Sequence, residues 1–178
     1  MAAGKRDSMV VDNGEVWADG SLHPDLAALR GLDLTAHGVE TGAPFSAPIA
    51  EPESAEYAAH TLTMGGRAVR FRVAKTTPTK AGHFVTLWQR STAGPIRPLD
   101  VADGDDLVIV ATRSESRRGY FVFPVAALVA RGVVSANSLG GKRALRVYAP
   151  WVTAPNAQAR RTQAWQVEYF SYPVGLID

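Results

Sequence analysis

The sequence predicts an α/β chain of the mixed α+β kind, with a mixed central sheet flanked by helices. Three observations predict it. Two short helical stretches precede residue 60, five strand-like runs fill residues 60–124, and a helix, a strand and a final helix close the chain. Several antiparallel strands followed by one strand–helix–strand crossover make a mixed sheet. The 178 residues are 46% apolar and 20% charged, an ordinary composition for one buried core. Residues 1–50 read as an acidic N-terminal leader with a short helix, packed on or loosely tied to the core, and residues 51–178 read as the domain proper.

The elements follow in order. Residues 1–20 are a loose leader rich in Gly and Asp, with no apolar stretch of signal-peptide length. Pro24 suits the first turn of a helix over DLAALRGL, which Gly31 ends. TGAPFSAPIA (41–50) is a connector, and ESAEYAA (53–59) a second short helix. HTLTM and RAVRFRVAK flank Gly65-Gly66, a two-residue hairpin signal. In the second of these runs Arg70 and Arg72 alternate with Val69, Phe71 and Val73, so arginines and apolar residues take opposite faces. After the loop TTPTKAG, HFVTLWQR (83–90) alternates again. DLVIVATR (106–113) has a continuous apolar core and predicts a central strand buried on both faces. GYFVFP (119–124) is the next strand, ending at Pro124, from which the helix VAALVARG starts. ALRVYAPW (144–151) is a strand, and Asn156 caps a last helix over roughly 157–170.

Composition excludes several chemistries. Without cysteine there is no disulfide framework, thiol nucleophile or thiolate metal site. The four histidines (His23, His37, His60, His83) show no zinc-binding spacing, and no G-x-S-x-G elbow or phosphate-loop spacing occurs. No apolar run spans a bilayer, so the chain reads as cytoplasmic with no membrane partner. Acids cluster at Glu51, Glu53 and Glu56, where a helix N-terminus favours them, and at Asp103, Asp105 and Asp106. The second cluster is either a Mg²⁺-binding mouth of the buried strand or a plain turn.

Charge is divided unevenly along the chain. Residues 1–60 hold three bases and ten acids, a balance of −7, and residues 61–178 hold 16 bases and seven acids, a balance of +9. Thirteen of those 16 bases are arginine, the side chain suited to bidentate phosphate contact. Bases, amides and aromatics interleave from Arg70 to Gln166, among them Trp88, Tyr148, Trp151, Gln163 and Trp165. This points to a polyanionic partner, nucleic acid above all, or to a solvated surface whose two halves pair with each other. Trp165 and Tyr169 share a helix face and read as core.

Long motifs add a resemblance. Glu56-Tyr57, RVAKTTPTKAGHFVTLWQR (72–90), IRP (96–98), GYFVFP (119–124), GKRALRVYAPW (141–151) and QAWQVEYF (163–170) together resemble the MepB family, which makes 51–178 a MepB-like domain. The resemblance implies a restriction-endonuclease-like core, and some relatives lie beside genes for a multidrug efflux pump and its repressor. Active nucleases of that fold need an acid early in one central strand and an acid-x-Lys on the next. With 83–90, 106–113 and 119–124 as neighbouring strands, Asp106 takes the first place, but Tyr120-Phe121-Val122-Phe123 offers neither acid nor lysine. The frame around Lys75, Val73-Ala74-Lys75, also lacks the acid.

The sequence therefore predicts a non-enzymatic binder of nucleic acid, duplex DNA in the first place, with phosphate contacts dominant and no cofactor. The predicted contacts are Lys75, Lys80, Arg90, Lys142, Arg143, Arg146, Arg160 and Arg161. Two alternatives stand beside it. One is a degenerate Mg²⁺-dependent nuclease using Glu56, Lys75 and Asp106. The other is a drug-stress-linked module for a small molecule or a protein, with an apolar pocket around Trp88, Tyr148 and Trp151.

Overall fold

The computed structural model describes residues 14–18, 20–91 and 94–174. The leader over 1–20 falls mostly outside them; within it Gly14–Ala18 form a short helix, α1, that buries Trp17. Pro24–Ala27 form α2, continued by a 3₁₀ turn over Ala28–Gly31. The strands are β1 (Ile49–Ala50), β2 (His60–Met64), β3 (Arg67–Val73), β4 (Lys75–Thr77), β5 (Lys80–Thr86), β6 (Trp88–Arg90), β7 (Ile96–Pro98), β8 (Leu107–Ser114), β9 (Arg117–Pro124), β10 (Ala144–Val147) and β11 (Phe170–Ser171). Helix α3 (Val125–Ala130) follows β9, and α4 (Ala157–Gln166) precedes β11.

The main sheet runs β1-β2-β3-β8-β9-β11. All its pairs are antiparallel except β3–β8. Gly65 and Gly66, both at positive φ, close the β2–β3 hairpin as the sequence predicts. Asp106 fixes the parallel register: its backbone N–H donates to the Ala68 carbonyl, and its carboxylate accepts the Ala68 N–H at 2.8 Å. The strand 106–113 is central and buried on both faces, as its apolar run requires.

Each face of this sheet carries its own core. On one face Val69, Phe71, Ile109 and Val122 pack against Leu26, Leu29, Leu32 and Leu34 from the N-terminal segment. On the other, Val108, Val110, Phe121 and Phe123 pack against Val85, Leu145 and Val147 of a second, three-stranded sheet ordered β10-β5-β4, with Leu87 just after β5 and Leu128 of α3 beside them. A β6–β7 ribbon extends this layer.

Several expectations need correction. The run 83–90 is not a neighbour of 106–113: it breaks at Leu87 into β5 and β6, and β8 instead pairs with β3. The expected crossover from 119–124 to 144–151 does not form, because β10 pairs antiparallel with β5 in the second sheet. The mixed character comes from β3 and β8, between which the whole β4–β7 segment is inserted. TTPTKAG is mostly strand, with Thr77 opposite Lys80 across a tight turn. The second N-terminal helix is a 3₁₀ segment, Pro52–Tyr57. The last helix stops at Gln166; Val167–Tyr169 form a 3₁₀ turn and Phe170 enters β11. Phe170 lies over Gly119 of β9, where an added Cβ would sit 2.1 Å from its Cζ.

Candidate nucleic-acid interface

The three-stranded sheet organises most of the predicted contacts. Directly paired residues share a face, so Lys75, Phe84 and Arg146 form one row across β4, β5 and β10. Arg146 is held in place: its Nη1 donates to Thr77 Oγ1 at 3.1 Å and to the Ala81 carbonyl at 3.2 Å, and its guanidinium lies 5.9 Å from the Phe84 ring centroid. Lys75 Nζ lies 4.6 Å from the Tyr57 ring centroid and donates to Glu56 at 2.5 Å. Arg90 Nε donates to Glu53 at 2.7 Å.

The other five predicted contacts are exposed, and among the described residues Lys80, Lys142, Arg143, Arg160 and Arg161 have no side-chain hydrogen bond or ion pair. Register places them. Lys80 starts β5, opposite Thr77, while Arg143 precedes β10 and its carbonyl accepts the Leu87 N–H at the other end of the sheet. Seven residues separate Lys80 from Leu87, a span of about 23 Å at ~3.3 Å per residue. Arg160 and Arg161 sit near the start of α4, which is docked beside β10. Gln166 Oε1 accepts the Tyr148 N–H at 2.8 Å, its Nε2 donates to the Arg146 carbonyl, and Gln163 Nε2 donates to the Ala149 and Val152 carbonyls. The glutamines that could have read base edges are instead occupied by backbone, Gln166 at the open edge of β10 and Gln163 in the segment that follows it.

Arg70 and Arg72 are not available to a phosphate. They are 5% and 0% exposed, because the second layer covers the face they occupy. Glu51 bridges them, accepting from Arg70 Nη1 and Arg72 Nη1, each at 2.5 Å. Arg70 Nε donates to Asp105 at 2.7 Å, and its Nη2 to Gln89. Arg72 Nε and Nη2 are buried without a partner among the described residues. Burial lowers the Arg72 pKa against the pull of Glu51. Burial acts the same way on Arg70, but the Asp105 and Glu51 carboxylates outweigh it and raise its pKa. Burial raises Asp105, more than Arg70 offsets. The sequence gives the arginine face but not these partners. The available signal is a count of strands too large for one sheet, which implies a second layer over that face.

The nuclease residues do not converge. Glu56 pairs with Lys75, but Asp106 faces the opposite end of β3, seven residues from Lys75, or about 23 Å along the strand. Asp103 accepts from Arg97 and Asp100 in a capping box, Asp105 is bound by Arg70, and Asp106 holds the parallel register. Among the described residues no three acids or histidines gather as metal ligands. Trp151 packs with Phe170 and Tyr172 at 5.4 and 6.4 Å between ring centroids. A cavity of about 580 Å³ opens elsewhere, at the ends of β3 and β8, lined by His23, Asp25, Thr76 and Arg113 among others. Its Asp25 is buried and paired to Arg113 and Arg118.

No described helix is long and apolar enough to cross a membrane. No curated protein matches the chain. A solved structure described as "Crystal Structure of MepB" is similar over 77% of this chain and 93% of that one, with 31% identity and a TM-score of 0.68. The MepB-like family model matches residues 51–172, spanning β2 through β11, the second sheet and the glutamine-covered edge alike. The chain therefore belongs to the MepB-like family.

Proposed function

We propose that the protein is a cytoplasmic, non-enzymatic binder of double-stranded DNA that holds its partner through phosphates along the three-stranded sheet. The observation that carries this reading is the group of five exposed cations, Lys80, Lys142, Arg143, Arg160 and Arg161, without partners among the described residues and spread around one layer. The ~23 Å length of that layer matches about seven base-pair steps at 3.4 Å each. In this reading the main sheet is a restriction-endonuclease-like core that lacks an acid-x-lysine pair and retains a surface for the duplex. Backbone contact without base readout fits the occupation of Gln166 and Gln163 by backbone groups of β10 and the segment after it.

The test is fluorescence anisotropy of a labelled duplex over a salt series. Five phosphate contacts give a slope of log K against log salt of about −4.5. The Lys142→Ala/Arg143→Ala variant loses about two units of that slope. An unchanged slope in the variant removes this loop from the site, and no binding at low salt ends the reading. Metal-dependent nicking of the duplex would make the chain a nuclease instead.

A further inference from the structure

We infer that the 3₁₀ segment Pro52–Tyr57 is a built-in competitor for the phosphate surface, its Glu53 and Glu56 carboxylates standing where phosphates bind. The inference rests on the DNA-binding reading above and adds a level of regulation to it. The segment docks without these two side chains: Tyr57 and Ser54 are buried, and Glu51, just before it, is held by Arg70 and Arg72. Glu53 and Glu56 point outward instead, their side chains 51% and 68% exposed. Each nonetheless meets a base contributed by the second layer, Glu53 on Arg90 and Glu56 on Lys75. Lys75 and Arg90 are themselves 41% and 53% exposed, so a polyanion can reach both.

Exposed pairs of this kind are weak and exchange readily. A DNA phosphate can therefore replace each carboxylate, but only by displacing it, and the two acids also repel the incoming backbone. Of the eight predicted contacts, the resting chain thus presents five free and withholds these two. The acidic excess of residues 1–60 and the basic excess of the rest meet at this contact.

The experiment compares duplex binding by the full chain, by Glu53→Gln/Glu56→Gln, and by Glu115→Gln/Glu168→Gln. The last changes net charge equally at exposed acids that have no ion pair among the described residues. The first variant is expected to bind about fivefold tighter than the charge-matched control, within the range that two exposed pairs allow. Its salt slope should steepen by about two units as two more phosphates are neutralised. Adding Lys75→Ala and Arg90→Ala to that variant should abolish the gain. Equal tightening in both glutamine variants, or a gain that survives loss of Lys75 and Arg90, overturns the inference and leaves the binding reading intact. If the full chain and all the variants fail to bind at low salt, the binding reading falls and the inference with it.

Discussion

Neutralising Glu51 should destabilise the fold far more than its partial exposure implies. Glu51 is the sole carboxylate hydrogen-bonded to Arg72 among the described residues, and Arg72 is fully buried with two of its three guanidinium nitrogens already unpartnered. In Glu51→Gln, Arg70 keeps Asp105, but the Arg72 charge is left in the core beside a second arginine. Removing one partner of a buried pair costs about 3–5 kcal/mol. The Glu51 side chain is 24% exposed and glutamine retains one acceptor, which favours the low end, about 3 kcal/mol. For a chain of this size that lowers Tm by roughly 6–12 °C. The decisive variant is Glu51→Gln/Arg72→Met, which removes the stranded charge and fills its volume. It should recover most of the loss, to within about 1 kcal/mol of the parent. Urea unfolding followed by far-UV circular dichroism and tryptophan fluorescence gives both numbers, provided m is unchanged. A single variant costing under about 1 kcal/mol, or a double variant as unstable as the sum of its parts, would refute the view that Arg72 depends on Glu51 for its charge balance.

Three further outcomes follow from particular contacts. Gln166→Ala should cost about 2–4 kcal/mol, since the Tyr148 N–H and Arg146 carbonyl lose their buried partner, and amide exchange at Tyr148 should accelerate in step. Gly119→Ala should cost about 1–3 kcal/mol by lifting Phe170, with near-UV dichroism from the Trp151–Phe170–Tyr172 group falling while far-UV dichroism holds. Burial lowers His83 and His23 below the ordinary imidazole value of 6.5, so the unfolded chain takes up these protons first as pH falls. Stability is therefore fully present above about pH 6.5 and declines below it, a decline that His83→Gln should make shallower in thermal unfolding at pH 5 and 7.5.

What the sequence made legible is what short-range chemistry determines. The Gly65-Gly66 hairpin, the apolar run at 106–113, the Asn156 cap and the helix after Pro124 each depend on residues close in the chain, and each stands. The misplaced strands depend on partners far away. Nothing in HFVTLWQR records that its first part pairs with β4 and β10 and its last part with β7, since alternation specifies a face and not a sheet. The sequence pattern extends the last helix to 170 because the apolar residues Tyr169 and Phe170 continue it, whereas the helix ends at Gln166. Packing of Phe170 on the bare Gly119 ends the helix early, a contact spanning 51 residues.

Availability of charge is likewise a property of the folded chain. Eight bases in similar contexts were predicted as phosphate contacts, and the fold divides them: five stand free, while Lys75, Arg90 and Arg146 are held by Glu56, Glu53 and Thr77 across separations of 19, 37 and 69 residues. Arg70 and Arg72, with the same composition and alternation as an exposed basic strand, are instead the most deeply buried cations of the described chain. The difference lies in which carboxylates the topology delivers. A basic strand left at a surface can bind a partner's anions. Covered by a second sheet, it must take anions from its own chain, and Glu51 and Asp105 supply them from either side of β3 in sequence. The acids that complete this buried balance are committed to the arginines of β3, while the exposed acids next to them, Glu53 and Glu56, pair with Arg90 and Lys75 at the surface.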